Sequence, residues 1–207
     1  MTSYWMDSTP ATDYAALPTD LEVDVAVVGG GIAGISTAWE LVRRGRTVAI
    51  LEADRIVSGV TGNTTAKVTA LHGQIYAKLK GQASLYARSQ QDAIERIDAT
   101  VAELGIDCDW ERRAAYTYVT GDDGVPALKE EAAAARDAGL PASFVTETGL
   151  PFPVAGAVRV EDQAQFHPRR YLLAVAQAIT AAGGCGPATS SSPPTTRSSI
   201  VRCCSRG

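Results

Sequence analysis

The sequence predicts an α/β fold built on a Rossmann-like unit, and three observations carry that prediction. A short apolar run, Val25–Val28, stops at a glycine turn with the spacing Gly29-x-Gly31-x-x-Gly34. A helical pattern follows over about residues 32–44 and ends at Gly45. A second β-branched run, residues 47–51, then stops at an acidic residue, Glu52. Strand, glycine turn, helix, strand and acid, in that order, make a dinucleotide-binding βαβ unit.

Each part of the unit has a physical job. Gly29 lets the chain leave the first strand in a tight turn, where a Cβ is expected to clash. Gly31 lets backbone approach a pyrophosphate, and Gly34 lets the helix lie close to the strand. The helix start at Ile32 and Ala33 offers free N–H groups and the positive end of the helix dipole to phosphate. Glu52 is placed to accept hydrogen bonds from ribose hydroxyls, and its charge argues against a 2′-phosphate and hence against NADP. A glycine-rich turn in some other βαβ unit would leave the placing of Glu52 to chance.

Length and composition set the frame. The chain has 207 residues, ordinary apolar content and a formal net charge of −4, which suits one medium domain or part of a two-domain protein. No basic patch favours nucleic acid. The first residues lack the positive and apolar regions of a signal peptide, and the apolar stretches are too short to span a bilayer. A cytoplasmic location with no membrane partner is therefore expected. Cys108, Cys185, Cys203 and Cys204 form no C-x-x-C pair, and only His72 and His167 could assist them, so no metal site is expected.

Residues 1–22 read as a polar arm whose aromatics, Tyr4, Trp5 and Tyr14, could anchor it; a partly ordered arm is the alternative. After Glu52 comes a Gly/Ser/Thr-rich loop over residues 58–65. Ser58, Thr61, Thr64 and Thr65 supply hydroxyls, and such a loop offers donors to a second part of the same ligand. A solvated turn is the bland alternative. Lys67 and His72 follow, with His72 read as a packing or surface residue. Apolar residues then recur at helical spacing from Ile75 to Leu104. They predict one long amphipathic helix, or two with a break near Gly81, ending at Gly105.

The texture then changes. Residues 108–110 and 114–120 read as two short strands, followed by a turn at residues 121–124 and a helix over 125–138 that stops at Gly139. Residues 143–146 and 157–161 are further strands around a Pro-rich loop at 150–153. Residues 162–168 lead into another helix, with Pro168 in its first turn and Gly183-Gly184 as its stop. His167 sits where it can contact that helix's start or a ligand, the structural role being favoured. Residues 185–207, rich in Ser, Pro, Thr and Cys, carry no apolar pattern. They predict no returning strand: the stretch is either a disordered tail or, as the abrupt switch after Gly184 favours, the product of a change of reading frame or a truncated gene.

Three stretches together carry a family likeness: residues 25–52, SGVTGNTTAK after them, and DQAQFHPRRYLLA further on. From about Ser3 to Gly184 the chain resembles the FAD-dependent oxidoreductases of the D-amino-acid oxidase and glycine/sarcosine oxidase family. The likeness is closest to bacterial members with a C-terminal Rieske iron–sulfur domain. The resemblance implies a Rossmann-like FAD-binding domain with an inserted, incomplete α+β substrate domain. It implies FAD as cofactor, with Gly29, Gly31 and Gly34 at the pyrophosphate, Glu52 at the adenosine ribose, and residues 58–65 toward the pyrophosphate and flavin. It further implies hydride transfer to flavin from the carbon bearing nitrogen in a small amine or amino acid. In the family the chain runs well past residue 184, so no substrate-binding or catalytic residue is carried over.

The expected division is an arm at 1–22, the first part of the FAD-binding domain at 23–105, a substrate-domain portion at 106–165, a return helix at 166–184 and the tail at 185–207. Two alternatives stand beside the FAD oxidoreductase. One is a non-catalytic remnant of such an enzyme. The other is an NAD-binding dehydrogenase, which Glu52 permits, although the hydroxyl-rich loop and the long helix fit FAD better.

Overall fold

A computed structural model describes residues 2–14, 21–183 and 185–189. In chain order its elements are α1 (Tyr4–Asp7), β1 (Val25–Val28), α2 (Ile32–Arg43), β2 (Val48–Glu52), β3 (Lys67–Val68), α3 (Ala83–Leu104), β4 (Glu111–Val119), α4 (Val125–Asp137), β5 (Ala142–Val145), β6 (Gly156–Gln165), α5 (Pro168–Ala181) and β7 (Cys185–Thr189). The described residues form two compact units. One holds the chain up to Thr65, Leu104–Cys108 and the chain from His167 onward; the other holds Ala66–Glu103 and Asp109–Phe166.

In the first unit a parallel sheet runs in the order β1-β2-β7. The Asp24 carboxylate accepts from the amide and hydroxyl of Thr47, both at 2.8 Å, which fixes the register where β1 and β2 begin. Helix α2 packs on both strands and α5 packs on α2 and β7. Val48, Ile50, Ile35, Leu172, Val175 and Ile179 are all buried, as a parallel sheet covered by helices requires. Helix α2 ends at Gly45, whose φ of +75° suits the left-handed cap; Arg46 N–H then closes back on Leu41 O at 3.0 Å.

β7 corrects the expectation of a tail with no returning strand. Cys185–Thr189 run parallel to β2, with one extra residue on β7 between the pairs Ala49–Cys185 and Leu51–Ala188. A parallel ladder is made by backbone groups, so it forms here without an apolar pattern. Pro187, which has no N–H to donate, falls in the bulge, where that loss is tolerated. Residues 190–207 lie outside the described residues.

The second unit is antiparallel. β6 is its central strand, paired along one edge with β4 and along the other with β3 and β5. Helix α4 covers one face and buries Leu128, Ala132 and Ala135 with Val158 and Val160. Glu131 is buried in the same helix; its carboxylate accepts from the amides of Ile75, Tyr76 and Ala77 at 2.8, 2.7 and 2.9 Å, which holds the short 3-10 turn Tyr76–Lys78.

Several expectations shift. Residues 108–110 are not a strand: Asp109 has φ +52°, and the pairing begins at Glu111. β6 runs through residues 162–165 rather than stopping at 161, because a bulge at positive-φ Asp162 (+57°) absorbs the extra residue and lets the ladder resume. The helix break near Gly81 is real, with 3-10 turns ahead of Ala83. Ala66–Glu103 group with the antiparallel unit and not with the βαβ unit, unlike the expected boundary at 105.

Candidate functional site

The glycine turn closes where β1 ends. Gly29 has φ +102° and donates to Leu51 O at 2.8 Å. A Cβ on Gly29 would meet nothing within 4 Å, so its requirement is the left-handed backbone and not the expected clash. The steric demand falls on Gly34, where a Cβ would lie 1.8 Å from Gly29 O and 3.4 Å from a Val27 methyl. That contact is the close helix–strand approach expected of the third glycine. A Cβ on Gly31 would stand 3.1 Å from Thr61 Oγ1.

Helix α2 starts with little to satisfy its end. Gly31 is the N-cap and supplies no side-chain bond, and the first turn carries no acidic residue. Ile35 is the first amide bonded to a helix carbonyl, that of Gly31 at 3.0 Å. Ile32 N–H is met by Thr61 Oγ1 at 3.2 Å. Ala33 and Gly34 belong to the same first turn, so the positive end of the dipole opens onto the glycine cradle. The apolar rim is Val28, Ile32 and Val60, which are 83%, 42% and 90% exposed.

Glu52 sits at the end of β2 with both oxygens turned to this turn and its own backbone. Oε2 accepts from Gly30 N–H at 2.7 Å; Oε1 accepts from Ala53 and Asp54 amides at 2.8 and 3.2 Å. A carboxylate has about four acceptor sites, so these bonds leave capacity for a hydroxyl donor.

The loop at 58–65 divides. Thr61 joins the glycine turn. The Ser58 hydroxyl instead donates to Arg55 O at 2.6 Å. Thr64 is engaged through its carbonyl, which accepts from Trp5 Nε1 at 2.8 Å. Thr65 is exposed. The structure therefore gathers Gly29, Gly31, Ile32, Ala33, Gly34, Glu52 and Thr61, and does not turn the Ser58 hydroxyl toward them.

Sequence reasoning missed three contributors. Gly30 bonds Glu52, and a Cβ there would fall 2.5 Å from an Ile56 methyl. Val57, buried at φ +56°, donates its amide to Gly30 O at 3.0 Å. The N-terminal arm is anchored by more than its aromatics. The Ser3 hydroxyl bonds Gly62 O, and Trp5 lies edge-on to His167 at 4.9 Å between ring centroids. His167 is the N-cap of α5: Nδ1 accepts from Arg170 N–H at 3.2 Å, so Nε2 carries the proton and donates to Ser8 Oγ at 2.9 Å. Arg169, buried beside it, donates to Pro10 O at 3.0 Å, and its pKa is lowered by desolvation and by Arg55.

Fold and turn together define a dinucleotide-binding protein of the Rossmann-like class. The particular family follows from comparison: a family model described as FAD dependent oxidoreductase matches residues 24–185, and the chain belongs to that family. It is 38% identical over 187 residues to YhfW of Bacillus subtilis (strain 168), a protein whose name describes a Rieske 2Fe-2S iron–sulfur protein; the match covers 88% of this chain and 37% of that one. Gamma-glutamylputrescine oxidoreductase of Escherichia coli K12 is 31% identical over 137 residues, 62% of this chain and 31% of that one. Among solved structures, glycine oxidase from Geobacillus kaustophilus superposes with a TM-score of 0.64 at 23% identity, over 81% of this chain and 46% of that one. L-amino acid deaminase from Proteus myxofaciens gives a TM-score of 0.67 at 19% identity, over 87% and 40%. These structures share the fold. The chain spans less than half the length of these relatives.

The family's cofactor is FAD, and the cradle's chemistry fits it. The glycine turn has no side chains to fill a pyrophosphate's place, the helix end with its glycine N-cap favours an anion, and Glu52 retains acceptor capacity for hydroxyls. No helix among the described residues is long and apolar enough to cross a membrane.

Proposed function

We propose that this chain is the FAD-binding portion of an oxidoreductase acting on a small amine or amino acid. The observation that carries the reading is the start of α2, where the N-cap Gly31 supplies no side-chain bond, the first turn has no acidic residue and, among the described residues, only Thr61 reaches in, to Ile32 N–H. Gly29, Gly31 and Gly34 with the Ile32 and Ala33 amides would hold the pyrophosphate, Thr61 would flank it, and Glu52 would take ribose hydroxyls. Bound FAD supplies the redox chemistry, accepting a hydride from the carbon that bears nitrogen. In this reading the antiparallel unit is the substrate-facing portion, and a cytoplasmic setting agrees with Cys108 being buried and outside any disulfide.

The test is reconstitution. Purified chain mixed with FAD should become yellow after desalting and release FAD on denaturation. Its melting should rise with FAD but not with NAD, since a site at about 100 times its Kd gains about 2.7 kcal/mol. A colourless protein with no FAD-dependent shift would overturn the reading. It would favour the remnant alternative, to which the exposed Val28 on β1, paired only with β2 among the described residues, lends a specific argument.

A further inference from the structure

Helix α5 begins beside a charge that nothing balances. Arg169, in its first turn, is 1% exposed and is the largest fully buried side chain among the described residues. Its guanidinium meets neutral atoms only. Nη2 donates to Pro10 O at 3.0 Å and Nε to the Met6 thioether at 3.3 Å, while buried Nη1 has no partner. No carboxylate pairs with it among the described residues. Burial, and then the like charge of exposed Arg55 in the loop after β2, lower its pKa. The first turn of α5 carries no acidic residue, and the helix dipole adds positive charge at the same end.

A second buried polar atom lies close by. Thr12 Oγ1 has no partner, and Thr12 stands two residues beyond the Pro10 carbonyl that Arg169 holds. Buried polar groups are satisfied as a rule, and a bare buried charge costs far more than a bare hydroxyl. A guanidinium keeps its proton at neutral pH, so Arg169 cannot relieve that cost by neutralising itself. A water molecule could satisfy the hydroxyl but would leave the charge uncompensated. Two orphaned donors beside two like charges therefore call for an anion. The guanidinium fork matches the oxygens of a tetrahedral oxyanion, and a phosphate group carries close to the two negative charges that two arginines balance.

We propose that Arg169, Arg55 and Thr12 form a binding site for an oxyanion of the phosphate class, free or as a phosphomonoester, between the N-terminal arm and the start of α5. The ion joins three segments: the arm through Thr12, the loop after β2 through Arg55, and α5 through Arg169. The experiment is isothermal titration of the purified chain with inorganic phosphate at constant ionic strength, with sodium chloride as the balancing salt. Phosphate should bind saturably at one site and slow hydrogen exchange over residues 2–14. Arg169→Met and Arg55→Met should each weaken it about ten-fold or more, the loss expected for a charged hydrogen-bond partner, and Thr12→Val should weaken it less. Arg169→Lys, which keeps the charge and loses the fork, should fall between wild type and Arg169→Met. Arg46→Met, an exposed cation beyond the C-terminal end of α2, should change nothing. Circular dichroism checks that each variant is folded; if Arg169→Met is not, Arg55→Met, at an exposed side chain, carries the test. Glycerol 2-phosphate in a parallel titration separates the two sources of the same chemistry, equal affinity assigning a phosphomonoester and weaker affinity the free ion. Phosphate seated in the glycine turn instead would be indifferent to both arginine variants and displaced by FAD. That result would overturn the proposal, and so would the absence of saturable binding. Phosphate binding that persists in a chain taking up no FAD would leave this site standing and remove the cofactor reading alone.

Discussion

Gly34 in the first turn of α2 lies against the carbonyl oxygen of Gly29, so closely that a Cβ on Gly34 would fall 1.8 Å from it. Gly29 and Gly34 are therefore coupled: the first supplies a backbone at φ +102° whose carbonyl occupies the space that the second leaves empty.

Gly34→Ala should destabilise the chain by about 3 kcal/mol, since backbone and not a flexible side chain must give way. Gly81→Ala is the control, because nothing lies within 4 Å of its Cβ and it sits inside the 3-10 turn Lys80–Gln82 without a positive φ; it should stay within about 0.5 kcal/mol. Urea denaturation midpoints at constant slope measure both. FAD affinity should fall with Gly34→Ala and hold with Gly81→Ala.

Tyr76 makes stability depend on alkaline pH. Its hydroxyl donates to Ala70 O at 2.8 Å, and burial, then the charges of Tyr86 and Glu131, push its pKa well above the ordinary 10.0. Because the folded value is the raised one, the contribution of the protonated phenol is complete below pH 10. It falls as pH climbs past 10, where the unfolded chain releases its proton first. Tyr76→Phe should cost about 1 kcal/mol at pH 7 and flatten the decline in stability between pH 10 and 11, measured by urea melts across that range. An unchanged slope would remove Tyr76 as its source.

These two cases mark what the sequence makes legible. The glycine turn is readable because its demands are local, a positive φ at Gly29 and a missing Cβ at Gly34. Helix ends at Gly45 and Gly139 are readable for the same reason. β7 is not, since a parallel ladder asks only for backbone and CGPAT shows no apolar period. The bulge that carries β6 through Asp162 depends on its partner β4, and no local signal gives it. Hydroxyl direction is equally hidden: Ser58 and Thr61 look alike in a polar loop, yet one bonds Arg55 O and the other Ile32 N–H. The anchoring of α1 depends on His167 and Thr64, far away in sequence.

Glu131 should be among the costliest single positions of the antiparallel unit. Its carboxylate is fully buried and satisfies three amides at residues 75–77. In Glu131→Gln an NH2 must face an amide donor, so at least one of the three N–H groups loses its acceptor. The expected loss is about 2–3 kcal/mol, with hydrogen exchange at Tyr76 and Ala77 accelerating more than at β6. Equal acceleration in both places would mean that the unit unfolds as a whole and not at this turn first.

Trp5 ties the arm to the loop at 58–65. Its indole N–H donates to Thr64 O at 2.8 Å while its ring meets His167 edge-on, so one side chain holds both the loop at 58–65 and the start of α5. Trp5→Phe keeps the ring contact and removes the hydrogen bond, which should cost about 1 kcal/mol. Trp5→Ala removes both and should cost about 3 kcal/mol. The phenylalanine variant is the more telling, because α5 stays anchored through Ser8 and His167 while the loop is released. Thr61 caps Ile32 from that loop, so its release should weaken FAD binding by a larger factor than it lowers global stability. Hydrogen exchange at residues 58–65 beside an FAD titration checks this; a variant that loses stability but keeps full FAD affinity would reduce the arm to a structural strap.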